Sequence, residues 1–459
     1  MGTAPAHQSP DGLAAIDTGH AAYIVAAILY NRREETPMTK RIIQRRTLLK
    51  GAAAATALTS LPWASARGQG QPIKVGFVAP LSGGNQINGV PVRLGAEIVR
   101  DQVNAAGGIG GRPVELVVRD GKGDPNATVA TMRELAGEGV RLVVGPVLTG
   151  TNLAVIGVLQ SLNMVNMACG SGEEKLTHDL YNRNFFTALE NNFSSLRAFA
   201  AFMARRYPNV TTWTGIYPGV SVGESSWAGM AASLKEHYRS MAGKDITLVD
   251  PIVTKFGATD FKTQIGQLQA GPAVGLHTVL FGADGITFFQ QARQLGLEKK
   301  FTVISEQSLS TDLPKSLKQN MWDNVWSRSF WDPGAFRDVP ESVALEKEVL
   351  KRTGDKFPHQ LISAGHTGML AFTEALKVTK GDTDPAKIIP ALEGLQLKTV
   401  KGPASFRKED HQIMTSSSFF KAGPASTPEG FAITDSAKLN LAPYVNPPNP
   451  GKPFKMPNA

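Results

Sequence analysis

Residues Gly219-Val220-Ser221-Val222-Gly223 carry the G-x-S-x-G spacing of a nucleophile elbow. In that motif a strained strand-to-helix turn lifts a serine hydroxyl clear of a sheet, and an acid and a histidine follow later in the chain. His237, His277, His359, His366 and His411 all follow Ser221. No HGGG-type oxyanion loop precedes it, so a serine hydrolase using Ser221 rests on five residues alone. A second feature is Gly145-Pro146, which closes a short apolar run, followed by Thr149-Gly150, which opens a helical pattern. The first N–H groups of a helix have no partner within it and favour an anion. The chain has no H-E-x-x-H, no zinc-type cysteine pattern and no Walker A sequence, so neither metal nor cofactor is expected. His366 shares a helical face with Met369, Phe372 and Leu376 and reads as packed. The lone Cys169 reads as a small buried hydrophobe.

Alternating strands and helices must position these residues. Ile73–Ala79, Val114–Arg119, Leu142–Val144 and Met164–Ala168 are strand-like, and so are Thr211–Tyr217, Ile246–Val253, Thr278–Phe281 and Phe301–Ile304. Between them lie helical patterns over Val92–Ala105 and Val155–Leu162 and from Ser226, Phe261 and Phe288. Val129, Met132, Leu135 and Ala136 fall on one helical face, as do Leu196, Phe199, Ala200, Met203 and Tyr207. Strand–helix alternation at this spacing predicts parallel sheets covered by helices on both faces. Some eight units exceed one sheet of ordinary size, so two doubly wound lobes fit the 459 residues better than one. Ligands of such sheets bind beyond the carboxyl ends of the strands. The loops concerned are 80–90, 145–151, 168–173, 218–226, 282–286 and 305–310.

Composition is that of a globular protein, 42% hydrophobic and 19% charged. The net charge of +9 is scattered, with no basic block interleaved with aromatics, which argues against nucleic-acid binding. Residues 38–66, MTKRIIQRRTLLKGAAAATALTSLPWASA, read as an export signal. A basic start is followed by an apolar stretch too short to span a bilayer and by Ala64-Ser65-Ala66, which fits the A-x-A cleavage rule. Arg45-Arg46 ahead of Thr47-Leu48-Leu49 resembles a twin-arginine signal, with the general export pathway as the alternative. Residues 1–37 do not suit that design and read as a gene-model extension, with Met38 as the start. A single cysteine permits no intramolecular disulfide, and none sits at the cleavage site to carry a lipid. A soluble, exported protein of the periplasm is the expected product. The proline-rich tail 441–459 is expected to run extended along the surface.

An ordered series of segments identifies a family resemblance. It comprises Val75-Gly76-Phe77-Val78-Ala79-Pro80-Leu81-Ser82-Gly83, Asn104 to Arg112, Asp120 with Asp124-Pro125, and Gly145-Pro146. Gln291-Ala292-Arg293-Gln294-Leu295-Gly296-Leu297 and Gly402-Pro403 with Phe406 complete it. Across residues 72 to about 425 the chain resembles the leucine/isoleucine/valine-binding receptors of ABC importers. The resemblance implies the type I periplasmic binding protein fold: α/β, two doubly wound parallel-sheet lobes joined by a hinge. The first lobe would comprise 72–190 and about 331–412, the second 191–330 and about 413–440. It implies a monomer without enzymatic activity, which delivers a small molecule to a membrane permease or, alternatively, serves a sensory partner.

The same resemblance assigns roles in the cleft. The turn 145–151 would hold a ligand carboxylate, with Thr149 and Gly150 as donors. Ala168 and Gly170 match a second ligand-facing loop, in which Ser171 offers the hydroxyl that Gly170 lacks. Glu306 falls where the family pairs an acid with the ligand ammonium, and Asp284 is a second acid. Asn88 and Val222 stand at positions that are commonly aromatic in amino-acid receptors. Their loss removes apolar packing around an aliphatic side chain and leaves room for amides, short carboxylates and aromatic acids. Trp227 is either a replacement aromatic wall or core packing.

Overall fold

The computed structural model describes residues 70–456. The predicted extension, the export signal and the last three residues lie outside them. Five parallel strands form the first sheet: β1 (Ile73–Ala79), β2 (Val114–Asp120), β3 (Leu142–Val144), β4 (Val165–Ala168) and β5 (Phe185–Thr187). Their order is β2-β1-β3-β4-β5, the doubly wound pattern in which the chain reverses direction beside β1. Val75 and Phe77 pack toward the helices Gln86–Ala105 and Ile362–Val378, whereas Val78 faces Met132 and Leu135 of the helix Pro125–Gly137. That split follows from the two-residue period of a strand.

The second sheet contains β6 (Thr212–Pro218), β7 (Thr247–Leu248), β8 (Ile252–Thr254), β9 (Gly275–Thr278), β10 (Val303–Glu306) and β11 (Val325–Ser329). A small sheet of β12 (Gln396–Thr399), β13 (Gly402–Phe406) and β14 (Ile413–Met414) buries Leu397, Phe406 and Ile413 in the core of the first lobe. The chain then returns as β15 (Ser416–Pro424), antiparallel to β11, and β16 (Phe431–Asn440), antiparallel to β15. Both predicted amphipathic helices form. Leu196, Phe199, Ala200 and Met203 are buried on the helix Asn192–Arg206, and Met132 and Leu135 on the helix Pro125–Gly137.

Several predicted element boundaries require correction. The strand expected at Thr278–Phe281 lies at Gly275–Thr278, because Gly275 is pressed against the Trp213 ring. A Cβ at Gly275 would stand 2.5 Å from that indole. The helix expected at Val155–Leu162 runs from Thr149 to Ile156 and gives way to turns at Gly157. The tail runs along the surface as expected, most of its described residues being exposed, and is anchored at Tyr444 and Asn446, each 5% exposed. Arg407 Nη1 donates to Asn446 O at 2.7 Å, Asn446 Nδ2 meets His178 Nε2 at 2.6 Å, and Gly451 N donates to His178 O at 2.7 Å.

Candidate functional site

The two loops beyond β3 and β4 press together. Gly170 is glycine because a Cβ there would lie 2.4 Å from both Val147 Cγ1 and Val147 O. This close approach brings the Thr149 and Ser171 hydroxyls to 3.0 Å. Thr149 is the first residue of the helix Thr149–Ile156, so its N–H and those of Gly150 and Thr151 have no acceptor within that helix. Ala168 ends β4 as a buried residue, and Gly170 is half-buried two positions on. Two hydroxyls and a helix N-terminus make a neutral donor set suited to a carboxylate. The preceding loop is fixed by Asp120, which accepts from Leu81 N at 2.9 Å and from Ser82 Oγ at 2.5 Å. Asn88, in the first turn of Gln86–Ala105, is half-buried and has no side-chain hydrogen bond to Thr149 or Ser171.

The carboxyl ends of β6, β9 and β10 carry the other predicted residues. Val222 is half-buried at the start of the helix Ser221–His237. The adjoining Gly223 has room only for hydrogen, since a Cβ would stand 2.3 Å from Pro218 O. Asp284 lies in the first turn of the helix Gly282–Gln294, and its Oδ2 accepts from Gly257 N at 2.6 Å. Glu306 ends β10 fully buried. Its carboxylate accepts from Ser308 N, from Leu309 N at 2.6 Å and from Ser310 N at 3.2 Å, so it caps its own loop. Burial pushes its carboxyl up to about 7, against the pull of those N–H donors.

Sequence reasoning missed the residue beside it. Arg328, one position past the partner of Glu306 on β11, is 6% exposed. Its Nε donates to Gln307 O at 3.2 Å, its Nη1 donates to Ser195 Oγ at 3.2 Å, and its Cζ sits 4.7 Å from the Phe330 ring centroid. Burial lowers its pKa, opposed by the charges of Glu190, Glu306 and Glu174. Gln307 continues the network: its Nε2 donates to Ser226 Oγ at 3.1 Å and its Oε1 meets His277 Nε2 at 3.2 Å. The signal in the sequence was an arginine inside an otherwise buried strand, an uncommon placement for that side chain.

Ser221 does not assemble a catalytic triad. It is exposed, and among the described residues its hydroxyl makes no hydrogen bond to any of the histidines that follow it. His277 is held by Ser305 and Gln307, and His411 by Phe185 O and Glu393, while His366 is packed in the core. Trp227, 8% exposed, covers Gly215 and stacks 6.4 Å from His277, which makes it core packing. Cys169 is sealed under Ala364, and burial pushes its thiol up to about 12, which leaves it inert.

Burial lowers His277 and His366 to about 4, so both stay neutral in the folded protein. The unfolded chain gains protons below its own pKa near 6.5, so this contribution to stability is present above pH 6.5 and lost as pH falls toward 4. For His366 the loss between pH 7.5 and pH 5 is about 2 kcal/mol. The buried Glu306, raised to about 7, works in the opposite direction, with stability falling as pH rises from 4.5 to 7. The histidine effect therefore shows in a difference. In urea unfolding at the two pH values, His366→Met should have a pH 5 penalty about 2 kcal/mol smaller than the parent's. Equal penalties would mean that His366 is not held neutral.

A cavity of about 170 Å³ lies close by, walled by Glu173, Glu174, Asn192, Phe193, Ser226 and the tail residue Phe454. None of the nine predicted residues lines it. Glu174 Oε1 accepts from Phe193 N at 2.6 Å, and burial, then the charge of Glu173, pushes its carboxyl up to about 7.

Comparison with known proteins gives a consistent result. A family model described as periplasmic binding protein matches residues 72–427. The leucine-, isoleucine-, valine-, threonine- and alanine-binding protein of Pseudomonas aeruginosa is 23% identical over 337 residues, covering 73% of this chain and 85% of that protein. Leu/Ile/Val-binding protein homolog 1 of Brucella suis biovar 1 is 24% identical over 367 residues, with 79% and 92% covered. Among solved structures, the closed leucine-, isoleucine-, valine-, threonine- and alanine-binding protein from Brucella ovis superposes with a TM-score of 0.72 at 20% identity, covering 84% of this chain and 100% of that one. A solute-binding protein of an ABC transporter from R. palustris in complex with benzoate gives 0.67 at 15% identity, with 83% and 100% covered.

Proposed function

The chain belongs to the periplasmic binding protein family, and from that premise we propose that it captures an amino acid or a related small carboxylate or amide between its two lobes. It is a substrate-binding protein of the branched-chain amino-acid type and not an enzyme. In this reading it is exported to the periplasm, acts as a monomer and hands its ligand to an ABC permease. The observation that carries the proposal is the pair of hydroxyls, Thr149 and Ser171, held 3.0 Å apart at a helix N-terminus. Donors arranged in advance around an anion bind it without first paying to be ordered. Gly150, Ala168 and Gly170 complete that wall with backbone groups. Asn88 and Val222 form the lip, and Asp284 is the acid that a ligand cation would meet, since the Glu306 carboxylate is engaged by its own loop. Ligand touching both walls stabilises the closed arrangement by its differential contacts with the two states. Both relatives cited are named for leucine, isoleucine and valine and one neighbouring structure holds benzoate, which fits a shared carboxylate with a variable remainder.

The test is a thermal-shift screen of amino acids, amides and aromatic acids. A ligand at 100 times its Kd adds about 2.7 kcal/mol to native stability. Replacing Thr149 with valine and Ser171 with alanine removes two hydroxyl donors to a charged group, each contributing about 1.5–3 kcal/mol. Affinity for every carboxylate that binds should fall at least about 100-fold in calorimetric titration. Unchanged affinity in the double variant would place the site elsewhere.

A further inference from the structure

The second-lobe wall contains a buried cation that no part of the fold neutralises directly. Among the described residues, no carboxylate oxygen comes within 4.0 Å of the Arg328 guanidinium. Its two hydrogen bonds go to a carbonyl and a hydroxyl, and Nη2 donates to no acceptor among those residues. Three acids face it from a greater distance, and each already has a partner, although Glu190 Oε1 has none. Glu190 holds Lys401 at 2.5 Å, Glu306 accepts three backbone N–H groups, and Glu174 accepts from Phe193 N. A buried charge left without a contact partner costs several kcal/mol unless something arrives to pair with it.

The position of Arg328 indicates where that partner would sit. Ile304, Ser305 and Glu306 of β10 pair with Val325, Trp326 and Ser327, so Arg328 stands at the carboxyl end of β11, one residue beyond the level of Glu306. It shares Gln307 with Ser226, one turn along the helix that begins at Ser221 and carries Val222. Thus it lies at the strand ends where open parallel sheets bind ligands, in the sheet that does not carry the loops of Thr149 and Ser171. One wall offers hydroxyls and helix N–H groups, the other a planar guanidinium, while the Glu306 carboxylate is turned into its own loop.

We propose that Arg328 is the specificity-determining residue of the site and selects a carboxylic acid that lacks the α-ammonium group. This assignment rests on the interlobe binding site proposed above and narrows its ligand class. A planar guanidinium pairs with a carboxylate through two parallel hydrogen bonds, a geometry that lysine does not reproduce. An amino acid would bring its ammonium toward the guanidinium, with the Glu306 carboxylate turned into its own loop.

The experiment compares ligands that differ only in that group: leucine against 4-methylpentanoate, and phenylalanine against 3-phenylpropanoate, each titrated calorimetrically into the purified protein. The expected result is that the acids bind at least about 10-fold more tightly than their amino counterparts. Arg328→Met should lose at least about 100-fold in affinity for the acid, with Arg328→Lys intermediate. The ligand pairs need no variant, so the comparison holds even if Arg328→Met does not fold. If leucine binds and 4-methylpentanoate does not, the assignment of Arg328 is overturned while the receptor reading stands. If a folded Arg328→Met binds the acid as the parent does, the assignment is equally overturned. If no acid, amino acid or amide binds at all, both fail.

Discussion

Lys401→Met should destabilise the protein by about 3–5 kcal/mol. The Lys401 ammonium and the Glu190 carboxylate meet at 2.5 Å with both side chains sealed from solvent. Glu190 follows β5 just before the helix Asn192–Arg206, where the chain leaves the first sheet for the second, and Lys401 sits in the turn between β12 and β13. Removing the ammonium strands a carboxylate whose Oε1 already has no partner. Replacing a buried ion pair with apolar groups is often neutral, so the double variant Glu190→Leu with Lys401→Met should recover most of the loss. Urea unfolding of the three proteins would settle it. A single variant within 1 kcal/mol of the parent would show that water reaches the pair.

The location of the pair has a functional side. Glu190 also faces Arg328, so loss of Lys401 releases a carboxylate to compete for the guanidinium proposed to hold the ligand. Ligand affinity should therefore fall in Lys401→Met and return in the double variant, in parallel with stability. The two measurements separate a structural role from a binding role at the passage between sheets.

What could be read from the sequence was whatever is encoded locally. β1 and β3 fell on the predicted residues because apolar runs bounded by turn signals specify a buried strand. The strand-end loops 145–151 and 168–173 followed from those strands, while the choice of Thr149, Gly170 and Ser171 within them came from the family resemblance. Where a tertiary contact decides, local pattern failed. β9 begins at Gly275 because a tryptophan on β6 fills the space of its side chain, and glycine is a poor strand former by itself. The antiparallel return of β15 and β16 pairs residues across about 90 positions from β11, which no window of sequence displays. The engagement of Glu306 by its own loop, and the exposure of Arg328 to three distant acids, depend on backbone direction at two neighbouring strand ends. Residue type located Glu306 but could not say which way its carboxylate turns.

The same limit applies to glycine, and it yields the second large expected effect. Gly365→Ala should cost at least about 3 kcal/mol, the upper end of what overpacking produces. The helices Gln86–Ala105 and Ile362–Val378 meet backbone to backbone: a Cβ at Gly365 would lie 1.8 Å from Val92 O, and one at Gly95 would lie 2.0 Å from Ile362 O. Neither obstacle is a flexible side-chain tip, so the helices must part, and with them the first turn carrying Asn88. Gly266 offers the contrast. It too lies inside a helix, Lys262–Ala270, but no atom stands within 4 Å of its would-be Cβ. There the same substitution meets only helix propensity and should stabilise by up to about 1 kcal/mol. Thermal denaturation of the two variants should therefore move in opposite directions from the parent. A Gly365→Ala protein that melts with the parent would mean that the two helices can separate without cost, and the packing that positions the loop after β1 would not be rigid.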